Sequence, residues 1–414
     1  MKRIVLVVMG LTVALLASCA AAAIPLEEGA SGTAEGGVDL SSVESDSNLT
    51  VGCMDAYDPD VDYFPHKASP DFAQGWSVAY HNHYKVLTLH NPWRGAEETF
   101  QYLLVQCGAP VPEGFEDTPM IEVPVRRVAA LTSTVLPHLH ELGLLERLVA
   151  VDRSDYINTA AVREMIDAGA LQEAGTGTGV NTEILIDVDP ELVITFAYGN
   201  LDYDTHPKLI EAGLPVALTA GYMETTPLGR TEWLKVTSIF FNQEKLAEEV
   251  FGGIAERYAE MAELAAGVET RPTVLVGIAR RDSWRVPGGN SYFARYIADA
   301  GGSYLWREDE STGSIPLAME TVFEVASSAD VWLPNTGAWV GADDILAADE
   351  RHGNLLAVKR GAVFNNNAKV NEWGGNDYWE TGVANPDLVL ADLIRIFHPE
   401  LLPEHELIWF QRLE

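Results

Sequence analysis

The sequence predicts an α/β fold: two Rossmann-like lobes with parallel sheets, joined by one long backbone helix, with a ligand cleft between the lobes. Three observations predict it. Short apolar runs alternate with helical segments from Arg127 to Leu218. The same rhythm resumes after Pro272. Between the two stretches, from about Arg230 to Ala266, Trp233, Val236, Ile239, Phe240, Leu246, Val250, Ile254, Tyr258 and Met261 recur near a 3.6-residue period. Short apolar strands alternating with helices indicate a parallel sheet covered on both faces.

The elements follow in chain order. Lys2 and Arg3 precede an apolar run from Ile4 to Leu16, and Leu16-Ala17-Ser18 lead to Cys19. A basic start, a short apolar run and small residues describe a secretory signal over 1–18. The run is too short for a comfortable membrane span. Leu-Ala-Ser-Cys resembles a bacterial lipobox, which implies cleavage before Cys19 and its lipidation. Residues 19–50 are rich in Ala, Gly, Ser, Glu and Asp, as in a flexible acidic tether. Two cysteines then remain, Cys53 and Cys107. In an oxidising compartment a disulfide between them is the economical reading, with two free buried thiols as the alternative.

An N-terminal lobe is expected over 51–228. It includes an added β-hairpin region, 80–125, in which Tyr84–Leu89 and Tyr102–Gln106 flank Asn91-Pro92 and Gly95. Strands are expected at Arg127–Leu131, Leu148–Val151, Leu192–Phe196 and Pro215–Leu218. Helices are expected at Val135–Arg147, Ala160–Ala168, Thr182–Asp187 and Thr205–Ala212. The linking helix, 229–267, would span on the order of 50 Å if unbroken. Gly252-Gly253 is a place where it could weaken or kink. The C-terminal lobe, 268–414, begins with a strand at Thr273–Ile278. Helices follow at Ser291–Ala300 and Met319–Ala326, and strands at Val331–Leu333 and Ala362–Asn365. A last helix, Pro386–Phe397, precedes the alternating segment Leu407–Leu413.

Charge narrows the partners. Lys and Arg total 27 against 61 Asp and Glu, a formal charge of −34. Such a surface repels nucleic acid and anionic lipid headgroups. No Gly-x-Ser-x-Gly elbow, His-Glu-x-x-His pair or reactive thiol is present, so the chain does not read as an enzyme. Gly175-Thr176-Gly177-Thr178-Gly179 lacks the Lys-Ser/Thr ending of a phosphate loop and reads as a turn into an N-cap at Asn181.

Several ordered stretches carry a family resemblance. Arg127-Val128-Ala129-Ala130-Leu131-Thr132, Leu139 to Gly143 and Leu148 to Asp152 form the first set. Asn181-Thr182-Glu183-Ile184 leads to Asp189-Pro190-Glu191-Leu192-Val193-Ile194. Pro316 to Glu320 leads to Ala329-Asp330-Val331-Trp332. Trp284 to Tyr292 and Asn365 to Pro386 complete it. From about Arg126 onward the chain resembles the periplasmic binding proteins of iron-chelate, heme and cobalamin ABC importers. The resemblance implies a monomer that captures a metal chelate, a ferric siderophore first and cobalamin or heme next. It also implies delivery to an ABC permease with its ATPase, and a protein that carries no resident cofactor. It implies permease docking through one surface acid per lobe, here Glu183 and Glu320. Helix-start acids that merely complement the macrodipole are the plainer alternative for that pair. An extracytoplasmic enzyme or a sensing lipoprotein on the same frame is the alternative of another class.

Cleft candidates come from strand-to-helix loops, where open α/β sheets bind ligands. They are Ser133 and Thr134, Arg153 and Tyr156, Tyr198 and Tyr222 in the first lobe. In the second they are Trp284 and Arg285, Trp339, and Trp373, Tyr378 and Trp379. Aromatic planes cover a chelate's periphery and guanidinium groups pair with its carboxylates or phenolates. No His, Cys and acid set has zinc or calcium spacing, so no metal site is expected and the metal arrives already chelated. His138 reads as a surface histidine.

Overall fold

The structure, a computed structural model, describes residues 47–175, 179–281 and 283–414. The expected signal, Cys19 and most of the tether lie outside the described residues, as do Thr176, Gly177 and Thr178. No described helix is long and apolar enough to cross a membrane.

The N-lobe sheet has five parallel strands in the spatial order 172–173, 148–151, 128–130, 192–195, 216–218. Its central strands Val128–Ala130 and Leu192–Thr195 are buried at every residue, which is why they read as unbroken apolar runs. Asn181 caps the helix Thr182–Val188, its Oδ1 accepting the Glu183 and Ile184 amides. The expected helix Val135–Arg147 is shorter, Leu136–Glu141 between two 3-10 turns, because Gly143 sits at φ +66° and turns the chain.

In the C-lobe, strands 303–304, 273–276 and 331–333 run parallel, and Val363 bridges Trp332 beyond them. The pair 364–365 and 411–412 is antiparallel. A second, antiparallel sheet of 279–280, 283–287 and 314–318 lies on this lobe, which the sequence did not reveal. The added N-terminal region is larger than a hairpin. Strands 76–80, 84–89 and 100–106 are antiparallel neighbours, and 120–123 runs parallel to 100–106. Cys53 and Cys107 are disulfide-bonded, and the Met54 amide donates to the Cys107 carbonyl, tying the incoming chain to this cap sheet.

The expected single helix over 229–267 is a series of three. Pro227–Thr231 and Trp233–Ile239 are followed by a break at Asn242, which sits at φ +58°, and then by Glu244–Ala266. The connecting helix therefore has 23 residues, about 34 Å long. Gly252-Gly253 leave it unbroken. It buries Ala247, Phe251, Ile254, Tyr258 and Ala265 on one face. Periodicity continued through the break because Phe240 and Phe241 are themselves core residues.

Candidate ligand-binding cleft

Each parallel sheet has a point where the chain order reverses about its first strand. In the N-lobe the loops after strands 128–130 and 192–195 supply Thr132, Thr134, Phe196 and Tyr198. In the C-lobe the loops after 273–276 and 331–333 supply Gly277, Ile278, Pro334 and Asn335. All eight residues line cavities in the cleft. Ligands of open α/β sheets sit at such reversals, outside the carboxyl ends of the strands. The main cavity, about 520 Å³, is shared by the two lobes and is of small-molecule size. A smaller one of about 160 Å³ adjoins it through Tyr198 and Tyr222.

The main cavity combines cations with rings. Arg94, Arg280 and Arg285 line it with Tyr198, Tyr222, Tyr292, Phe293 and Trp379. Among the described residues, none of these three guanidiniums makes an ion pair. Glu224, the one acid of the lining among the described residues, is engaged elsewhere. It accepts the Gln74 and Gly75 amides and the Trp233 indole N–H at 2.8–3.1 Å. The Tyr222 hydroxyl donates to the Ala197 carbonyl at 2.7 Å, and burial, with Tyr198 adding to it, pushes this phenol up to about 12. Arg230 lies over the Tyr292 ring at 4.0 Å and lines the smaller cavity, with its Nε buried and unpartnered among the described residues.

Of the residues expected to line the cleft, Tyr198, Tyr222, Arg285 and Trp379 line the main cavity, and Thr134 lines the smaller one. Ser133 lines neither, although its neighbour Thr132 does. Three expectations are corrected outright. Trp284 is 0% exposed and donates its indole N–H to the Val276 carbonyl. It lies within strand 283–287, not in a loop, so side chains alternate: Trp284 and Val286 point inward and Arg285 outward. Trp339 is buried among Trp332 and His352 in the C-lobe core. Tyr378 is buried against Phe410.

Arg153, Tyr156 and Trp373 lie at a seam away from the cavity. Arg153 covers the Tyr156 ring at 4.6 Å and pairs with Asp155, while Arg163 covers Trp373 at 4.4 Å. His138 is not a surface residue. It is 5% exposed, bonds Thr237 Oγ1 at 3.0 Å and lines the smaller cavity, and burial lowers its pKa to about 4, so it is neutral. Glu183 and Glu320 are exposed in the first turns of helices 182–188 and 319–326. Arg94, Arg230, Arg280 and Tyr292 were missed. Arg280 was legible, because it lies two residues past the end of an expected strand; Arg94 lies outside the recognisable core and carried no signal.

The seam holds the lobes together on one side. Asn371 donates to the Asp155 carbonyl at 2.8 Å, and the Glu380 carboxyl accepts the Asn158 and Thr159 amides at 2.8 Å. Burial raises the Glu380 carboxyl from 4.5 to about 7 despite these donors. Folding therefore tightens its hold on the proton. This group's contribution to stability is greatest below pH 4.5 and is lost as pH rises to about 7, by roughly 3 kcal/mol. Asp152, raised to about 6 by burial, acts in the same direction. Chemical denaturation at pH 5 and pH 8 is expected to show wild type less stable at pH 8. Glu380→Gln should shrink that difference; an identical pH dependence in the variant would refute the assignment.

Known proteins are similar to this chain. An uncharacterized lipoprotein of Methanocaldococcus jannaschii is 28% identical over 324 residues, 72% of this chain and 73% of the relative. A periplasmic heme-binding protein from Pseudomonas aeruginosa superposes with a TM-score of 0.53 at 16% identity, covering 70% of this chain and 98% of that one. A possible iron-binding periplasmic solute-binding protein from Staphylococcus epidermidis gives 0.52 at 15% identity, covering 66% and 98%. These two structures share the two-lobed fold. Residues 128–369 match the profile of the periplasmic binding protein family, more than half of the chain. The chain belongs to the periplasmic binding protein family.

Proposed function

We propose that this solute-binding protein captures an anionic metal chelate outside the cytoplasm, a ferric siderophore or similar iron complex first, and delivers it to an ABC importer. The observation that carries the reading is the set Arg94, Arg280 and Arg285, unpaired with any acid among the described residues, in one inter-lobe cavity of a chain whose formal charge is −34. Unpaired cations concentrated in a cleft attract anions and gain from charge-assisted hydrogen bonds. Tyr198, Tyr222 and Trp379 offer ring faces for the ligand's apolar periphery. The names of the two structural neighbours, a heme-binding protein and a possible iron-binding protein, support a metal complex. The lipoprotein name of the M. jannaschii relative supports an anchor at Cys19.

Fluorescence titration tests the ligand class. A ferric siderophore is expected to quench tryptophan emission, and Trp379→Phe should remove most of the quench, since Trp379 is the tryptophan of the main cavity. Saturable quenching by heme or cobalamin, with none by ferric chelates, would move the assignment to those ligands. No response to any of the three would reject it.

Delivery is proposed to use Glu183 and Glu320, one exposed carboxylate per lobe, as the permease contacts. Charge reversal at both positions is expected to abolish uptake while ligand affinity stays within about twofold, since neither residue lines the main or the smaller cleft cavity. Unchanged uptake in cells carrying the double variant would remove the docking role.

A further inference from the structure

The cap sheet is additional to the family core, yet its loop between strands 84–89 and 100–106 touches both lobes. Toward the N-lobe, the Trp93 indole is seated directly on Gly199, which has φ +75° and where any Cβ would collide with the ring. The Pro92 carbonyl lies 3.5 Å from the Tyr222 hydroxyl. Toward the C-lobe, the Arg94 guanidinium lies on Gly313, close enough that a Cβ there would fall inside it. Gly313 is held in turn by its carbonyl, which accepts the Gly288 amide at 2.7 Å. Arg94 and Gly313 both line the main cavity. A rigid ring thus fixes the loop to one lobe, while the next residue places a positive charge against the bare backbone of the other.

We propose that the added sheet is part of the binding site, and that Arg94 is a ligand-retaining residue that clasps the cleft against Gly313. The clasp is a statement about this protein alone; the retention of an anion rests on the function proposed above. The two glycines explain why the contact is close: each leaves room for a flat side chain that no other residue would leave. Arg94 then supplies the one cation of the cavity lining that comes from the cap, and an anion held by it cannot leave until the loop lifts.

Three variants test the proposal: Arg94→Ala, Gly313→Ala and the double substitution. Gly313→Ala keeps every cavity charge and removes only the seat. Hydrogen exchange is measured first, on the ligand-free protein. Gly313→Ala is expected to speed exchange of the 91–96 amides about tenfold or more, and unchanged exchange would overturn the clasp. Dissociation of ferric citrate and of a ferric tris-catecholate is measured next. Each single variant is expected to release a bound chelate about tenfold faster, and the double variant no faster than Arg94→Ala, because both act through one contact. Unchanged release in Arg94→Ala, or effects that multiply, would overturn retention. Should wild type bind neither probe, the function proposed above fails, and the exchange result still decides the clasp.

Discussion

Replacing Arg280 and Arg285 together with alanine is expected to weaken binding of an anionic ferric chelate by about 10²- to 10⁴-fold while leaving the fold intact. Both guanidiniums line the main cavity, neither has an acid partner among the described residues, and both side chains project from exposed positions in the small antiparallel sheet. Their removal therefore breaks no ion pair among the described residues. Each lost charge-assisted hydrogen bond is worth about 1.5–3 kcal/mol, a factor of roughly ten to a hundred. Isothermal titration of the double variant, with thermal unfolding as the control for folding, reads both quantities. A neutral ligand should lose far less, so titrating cobalamin beside a ferric siderophore separates charge recognition from ring stacking. Affinity for the siderophore within threefold of wild type would mean that these arginines do not face the ligand.

The second large effect concerns stability. Lys85, on the second strand of the cap sheet, and Glu244, the first residue of the connecting helix, form an ion pair with both side chains 0% exposed. The ammonium also donates to the Ile239 carbonyl and to Asn242 Oδ1, both at 2.7 Å. Asn48 donates to the other Glu244 oxygen at 2.8 Å. Burial lowers the Lys85 pKa, and the Glu244 charge opposes that shift. Lys85→Ala removes one partner and leaves a carboxylate in the core, which is expected to destabilise the protein by about 3–5 kcal/mol. Replacing both, as Lys85→Met with Glu244→Leu, should recover much of that loss, because no charge is then stranded. Denaturant unfolding at pH 7 measures the difference. A loss below about 1 kcal/mol in Lys85→Ala would show that water reaches the site.

This network bears on the helix break. Asn242 takes a left-handed backbone conformation, uncommon for a residue other than glycine. Its side chain accepts from Lys85 and donates to the Leu49 carbonyl and Gln106 Oε1. The turn that aims the connecting helix is thus held by the cap, which the family core does not include.

Much of the fold was legible in local sequence. Strands 148–151, 192–195 and 331–333 and helices 319–326 and 386–397 lie where apolar runs and periodicity placed them, because burial on both faces or on one stripe leaves a short-range pattern. The continuous linking helix was misread because a 3.6-residue period passes through Asn242 unchanged. Periodicity records which side chains face the core, and the left-handed turn leaves Phe240 and Phe241 facing it.

What the sequence determined by itself was the kind of protein: alternating strands and helices, a connector between two lobes, and rings and arginines after strand ends. Tertiary structure alone decided which of those rings and cations meet. Trp284, Trp339 and Tyr378 satisfied the same loop rule as Trp379, yet they are buried while Trp379 lines the cavity. The direction of a side chain depends on strand alternation and on what packs behind it, and neither is written in the residue type. Arg94 is the extreme case, brought to the cavity by a sheet outside the shared core and seated on a glycine 219 positions further along the chain.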